Sequence, residues 1–270
     1  VAIMGNIALI IGCARSGTSI LGELVAAHPD VRYLHEAHEI WRKAGSGEDG
    51  SHRLTAEHAT PRVVRRIRKR FERERGDARL LVEKCPRNTL RVPFIRAVLP
   101  EAKIIHIVRD GRDVSCSLMP GIGGDQWRHL KPPGWRDLLA HEHGAVRCAR
   151  AWRTIVEIAL EDLSGVPHLC VRYEDLVDDP RRVARQVIGF LGLNQHPDVA
   201  TFCDKIQNKT RDSYHAERQE KWFRDDHTVR IGRWRENLAD DEAAAVEQIV
   251  RPLLVRLGYI PQPSLAASTP

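Results

Sequence analysis

The chain has 270 residues, 42% apolar and 29% charged, with a formal net charge of +6 and a pI near 9.1. That length and composition suit one large α/β domain with a sizeable core, and no apolar run approaches the ~18–20 residues of a membrane span. The basic balance favours anionic ligands without choosing among phosphates, acidic peptides and nucleic acid. Six widely spread cysteines without a C-x-x-C pair argue against zinc or a disulfide framework and for reduced thiols. The first residues lack the basic stretch of a signal peptide, so a cytoplasmic location is expected.

Residues 7–11 form a continuous β-branched apolar run, the pattern of a buried parallel strand. Residues 16–27 carry Ile20, Leu21, Leu24 and Val25 at helical spacing, closed by His28 and Pro29. A short extended piece is expected over 31–34 and a helix start over 36–43. Pro61 opens a helix to Arg75 with eight Lys/Arg against two Glu, read as a solvated face that can also steer an acidic acceptor. Strands are expected over 80–84, 103–108 and 168–173. Helices are expected over 89–98, 110–118, 136–162, 180–191, about 197–206, and 240–257, the last ended by Gly258.

Strands alternating with helices imply a parallel sheet of about four or five strands with helices on both faces, a three-layer sandwich. The long gaps between strands imply helical insertions over the carboxyl edge, where such sheets bind ligands. One domain over residues 1–260 is expected, followed by a disordered tail over 261–270.

Two segments stand out as phosphate loops, each following an apolar run and opening a helix. The first runs from Gly12 through Arg15, Ser16, Gly17, Thr18 and Ser19; the second runs from Arg109 to Ser117. Backbone N–H groups and hydroxyls at a helix N-terminus hold phosphates, and two such loops imply a ligand with two separate phosphate groups. Gly12 and Gly17 have the spacing of the G-x-x-x-x-G-K-[ST] loop, but Thr18 occupies the lysine position and the cation has moved to Arg15. That departure argues against an ordinary ATPase or kinase. A small-molecule kinase and a non-catalytic anion-binding module remain the alternatives.

Arg15-Ser-Gly-Thr-Ser19, then His28-Pro29 and Glu36, resembles the first motif of sulfotransferases that use 3′-phosphoadenosine-5′-phosphosulfate (PAPS), most of all the tyrosylprotein type. The resemblance implies a P-loop-like fold in which Arg15 to Ser19 hold the 5′-phosphosulfate and Arg109 with Ser117 hold the 3′-phosphate. It further implies Glu36 as general base, with Lys84 and Arg15 stabilising the transferring group. Tyr173 is expected near the adenine, and Arg233, in Arg230-Ile-Gly-Arg-Trp-Arg, in a segment closing over the nucleotide. Cys85 stands where the family has an acid after the lysine. PAPS is thus the expected donor and the 3′,5′-bisphosphate PAP the product, with no metal required.

Other residues have weaker assignments. Arg112 is read as an assistant at the phosphate or a surface residue, and Asp110 and Asp113 as caps of the following helix. His35 is the second choice of base, His38 a structural or acceptor-binding group, His106 a core histidine. The His35/His38 and His141/His143 pairs lack the spacing of a metal-binding H-E-x-x-H helix. The acceptor is expected to be a small molecule, glycan or acidic peptide, met by loops 120–135 (with Trp127, His129 and Trp135) and 207–227. No nucleic-acid motif is present.

Overall fold

A computed structural model describes residues 6–207 and 231–262. Five parallel strands, β1 (Ile7–Ile11), β2 (Val31–His35), β3 (Leu80–Lys84), β4 (Lys103–Val108) and β5 (His168–Arg172), form one sheet in the order β2-β3-β1-β4-β5. Side chains alternate across β1: Ala8 and Ile10 join one core, Ile7, Leu9 and Ile11 the other. Both faces of the central strands are therefore buried, which is why they read as unbroken apolar runs.

The helices are α1 (Thr18–Ala26), α2 (His38–Trp41), α3 (Pro61–Arg75), α4 (Val92–Val98), α5 (Gly111–Leu118), α6 (Trp135–His141), α7 (Gly144–Asp162), α8 (Tyr173–Asp178), α9 (Pro180–Leu191), α10 (Pro197–Gln207), α11 (Trp234–Asn237) and α12 (Asp240–Arg256). The side chains of α1, α8 and α9 fill the first core, and those of α2, α3 and α4 the second. A third apolar cluster joins α5, α7 and α12 around Trp152, Val114 and Leu254. No helix among the described residues is long and apolar enough to cross a membrane.

The expected elements recur with several differences: α8 is not among them, and the helix expected over 89–98 is a 3-10 turn (Pro86–Leu90) followed by α4. β2 is a full edge strand, paired from Val31↔Leu80 to His35↔Lys84. The helix expected over 136–162 is two, because Glu142 and His143 are extended and Gly144 takes φ 50°. Arg147, 2% exposed, seals that break by donating to the carbonyls of Gly124, Leu139 and Glu142. The helix expected over 36–43 is a single turn, α2, followed by a short 3-10 turn. On α3, Ile67 and Phe71 are buried, while Arg62, Arg66, Lys69 and Arg73 are exposed on the opposite face.

Candidate active site

Most of the candidate residues converge because they leave the carboxyl ends of strands, while Ser117 comes from α5 and Arg233 from the segment before α11. β2 delivers Glu36, β3 ends in Lys84, β1 runs into the Gly12–Gly17 loop, β4 into Arg109, and β5 into Tyr173. At ~4.8 Å between neighbouring strands, Glu36 and Arg109 start about 14 Å apart with the glycine loop between them. This crevice is where open parallel sheets bind ligands.

The first loop is shaped by close backbone approaches. A Cβ on Gly12 would lie 2.4 Å from the Ile107 carbonyl oxygen, and one on Gly17 (φ 92°) would lie 2.4 Å from Cδ2 of Tyr173. The Gly12 N–H donates to Thr89 Oγ1 (2.8 Å), and Arg15 takes the left-handed φ of 72°. Thr18 is buried in the first turn of α1, and Ser19, half-buried, follows it. Ser16 is buried, and its hydroxyl has no hydrogen-bond partner. A buried hydroxyl without a partner in a glycine-lined turn fits an anion that would supply one.

The second loop is bound to the first. Arg15 Nε donates to Ser117 Oγ (3.0 Å), and Arg109 Nη1 donates to the Arg15 carbonyl (3.1 Å). The Arg109 guanidinium lies 4.5 Å over the Tyr173 ring and 3.7 Å from Asp113. Tyr173 is 1% exposed. Its ring lies against Gly17 and under the Arg109 guanidinium, between the two loops.

Asp110 caps α5 by accepting from the Arg112 N–H (2.9 Å). Arg112 and Asp113 differ from expectation. Arg112 is neither a surface residue nor open to phosphate: it is ion-paired with Asp110 (2.8 Å) and Glu247 (3.0 Å). Asp113 caps nothing on its own helix; it accepts from the N–H groups of Gly232 (2.8 Å) and Trp234 (3.2 Å), holding the late segment against α5. Burial pushes the Asp113 carboxyl up, opposed by the Arg109 cation and these N–H groups. Trp234 is an anchor, packed between the guanidinium groups of Arg112 (4.5 Å) and Arg235 (4.6 Å). Arg233 is thereby placed near Cys116 of α5, with a buried Nε that has no partner.

On the other side of the glycine loop, Glu36 takes φ 51°, fixed by its N–H to the Lys84 carbonyl (2.7 Å) and by the His38 N–H to its own carbonyl (2.6 Å). Lys84, 1% exposed, donates to Glu36 Oε1 (2.7 Å) and to His35 Nε2 (2.9 Å). His38 Nε2 is 3.3 Å from Glu36 Oε2, and its Nδ1 is 3.8 Å from Cys85 Sγ. Burial alone would raise the Glu36 pKa. The His38 hydrogen bond and the Lys84 cation outweigh it and lower the carboxyl to about 2. Burial pushes the Cys85 thiol up, so it is neutral and has no nucleophilic character.

His129, from the 120–135 loop, faces this centre. Burial lowers it to about 4; the Arg15 cation adds to that and Glu36 opposes it. A Cβ on Gly121 would come within 2.1 Å of its Nε2, so the glycine makes room for the ring. His106 lies in the core, 0% exposed and lowered to about 4 by burial. Among the described residues no group of three or more His, Cys, Asp or Glu is arranged to hold a metal. The acceptor-lining expectation for 207–227 lies almost wholly outside the described residues. Sequence reasoning missed Glu83 and Asn88, treated below; a carboxylate inside the apolar run 80–84 was the available signal.

A five-stranded parallel sheet with two phosphate-loop geometries on one carboxyl edge defines an α/β protein of the P-loop-like class. A family profile described as Sulfotransferase family matches residues 8–198, and the chain belongs to that family. It is 25% identical over 268 residues to protein-tyrosine sulfotransferase A of Caenorhabditis elegans, covering 93% of this chain and 66% of that one. It is 27% identical over 282 residues to nodulation protein NoeE of Sinorhizobium fredii, covering 94% and 66%. The chain thus spans slightly under two thirds of the length of these relatives. Among solved structures, the sulfotransferase domain from the curacin biosynthetic pathway superposes with a TM-score of 0.61 at 18% identity, covering 92% of this chain and 97% of that one. A mouse sulfotransferase complexed with PAP superposes with a TM-score of 0.56 at 14% identity, covering 93% and 84%. These two likenesses show the fold.

Proposed function

We propose that this chain is a PAPS-dependent sulfotransferase that moves a sulfuryl group to a hydroxyl or phenol by in-line displacement. The observation that carries the reading is the Arg15–Ser117 hydrogen bond together with the Lys84–Glu36 pair, which join a two-loop anion site to a base on one sheet edge. The unpartnered Ser16 hydroxyl and the partnerless Nε of Arg233 support an anionic ligand there. Ser16, Gly17, Thr18, Ser19 and Arg15 would hold the 5′ end, and Arg109, Ser117 and Arg233 the 3′-phosphate. PAPS, when bound, supplies an activated sulfuryl group, and PAP is what remains.

Glu36 accepts the acceptor's proton, and Lys84 and Arg15 supply positive charge where negative charge develops. The two tasks are linked through one hydrogen bond. While Lys84 donates to Glu36, the carboxylate is a weak base; each bond Lys84 gives elsewhere returns basicity to Glu36. His38 keeps the carboxylate oriented.

For the acceptor, relatives named as protein-tyrosine and carbohydrate sulfotransferases support a peptide or glycan hydroxyl. The basic surface of α3 suits an acceptor that is itself acidic. A cytoplasmic setting belongs to the same proposal and is supported by six unpaired cysteines, five of them buried. The test is calorimetric titration with PAP, followed by transfer of radiolabelled sulfuryl from PAPS to a panel holding a tyrosine peptide flanked by acids, an amino-sugar oligosaccharide and a simple phenol. Micromolar PAP binding with label on one class is expected. No PAP binding would refute the reading.

A further inference from the structure

Glu83 sits near the carboxyl end of β3, 0% exposed, with Leu9 and Leu34 beside it on the two neighbouring strands. A carboxyl at such a position costs stability unless it is bonded. Its bonds all lead to the segments that flank the reacting pair. Oε1 accepts from the Trp41 indole N–H (3.1 Å), and Trp41 closes α2, the turn just after Glu36. Oε2 accepts from the Asn88 amide (2.9 Å), in the turn just after Lys84 and Cys85. The backbone N–H of Ala37, the residue after Glu36, faces the same carboxylate and favours its ionised form. All three partners are donors, so the site is built for the ionised form.

We propose that ionised Glu83 is a positioning residue that holds the Glu36 loop in its reactive left-handed conformation, so that turnover depends on the charge of a group that touches neither substrate. This deepens the reaction assigned above and rests on it. Glu36 keeps φ 51° through its N–H to the Lys84 carbonyl and the His38 N–H to its own carbonyl, and Glu83 ties down the segments on both sides, α2 through Trp41 and the Pro86–Leu90 turn through Asn88. Protonation of Glu83 turns one acceptor into a donor facing three donors, and the clamp loses a bond.

The charge of Glu83 is contested within the fold. Burial raises its pKa to about 7, while the Trp41 bond, the Ala37 N–H and the cations Lys84 and Arg91 oppose the rise. The neighbouring Cys85 is a neutral thiol. Glu36 is held near 2 and cannot titrate near neutrality. Glu83 therefore contributes to the acid limb of the rate profile. The sign for stability is opposite to that of an ordinary structural carboxylate. Because the folded value lies above the unfolded one, the ionised group destabilises the fold progressively from pH 4.5 to about 7 and fully above it.

Glu83→Gln isolates the charge. A rotated Asn88 amide can accept from the amide that this substitution introduces, so the fold is kept, while Trp41 and the Glu36 loop are left with a neutral and weaker acceptor in place of a charged one. In Glu83→Gln, kcat with the best acceptor of the panel should fall ~10–100-fold while KM for PAPS and PAP affinity stay within ~2-fold. The acid limb should weaken and move, and the melting temperature at pH 8 should match or exceed wild type. In wild type the Trp41 indole N–H and Ala37 amide resonances should titrate together with a midpoint near 7, and in the variant they should not. Unchanged turnover, an acid limb left unaltered by the substitution, or resonances that do not titrate would overturn the proposal. The resonance titration needs no acceptor and no turnover, so it stands or falls separately from the assigned reaction.

Discussion

Replacing Glu36 by Gln keeps the shape of the side chain and removes the charge that Lys84 and His38 share. The fall of the carboxyl from an ordinary 4.5 to about 2 corresponds to ~3 kcal/mol of preference for the ionised form before screening. The Glu36 side chain is 33% exposed, so water reduces the net effect to ~1–2 kcal/mol. The folded value lies below the unfolded one, so this stabilisation is full above pH 4.5 and is lost as pH falls toward 2. Urea unfolding at pH 7 should therefore show Glu36→Gln less stable by ~1–2 kcal/mol, with the gap to wild type narrowing below pH 4.5. Transfer should fall by ~10²–10⁴, the usual weight of a general base. PAP affinity should stay within ~3-fold, because the nucleotide loops lie on the other strands. Undiminished transfer would remove Glu36 as the base. Equal stability at pH 7 would show that the Lys84–Glu36 pair does not hold as described.

Two further substitutions test the loops. Arg109→Lys keeps the charge but loses the fork that reaches the Arg15 carbonyl and covers Tyr173; PAP affinity measured by calorimetry should drop ~10–100-fold, and a change under ~2-fold would exclude Arg109 from the phosphate site. Gly17→Ala puts a methyl 2.4 Å from the Tyr173 ring at φ 92°, which should cost ~1–3 kcal/mol and lower the melting temperature by several degrees; an unchanged melting temperature would refute that contact.

Much of this arrangement was legible in the chain. The buried strands β1, β3 and β4 read as unbroken apolar runs, and the residues that matter follow directly at their ends. What escaped has a physical reason in each case. β2 reads as a short extended piece over 31–34, and only its full role as a paired edge strand escaped, because its residues are half-buried or exposed and its hydrophobic signal is weak. The break at Gly144 falls inside a sequence that keeps helical periodicity on both sides. Arg112 and Asp113 find their partners at Glu247 and Gly232, more than 115 residues away, and no local pattern announces such pairing. Tyr173 is singled out by its place in the motif, but the packing of its ring depends on Gly17 and Arg109.

The bonds from Asp113 to Gly232 and Trp234 engage only main-chain N–H groups. The grip on the late segment is thus written into α5 and is blind to most side chains it holds. Gly232 is tied to its identity by φ 77°, but Ile231 and Glu236 are exposed and take no part in the clamp. Those two positions form a natural place for combinatorial libraries: the exposed side of this segment can be rewritten there while the address that docks it stays in Asp113.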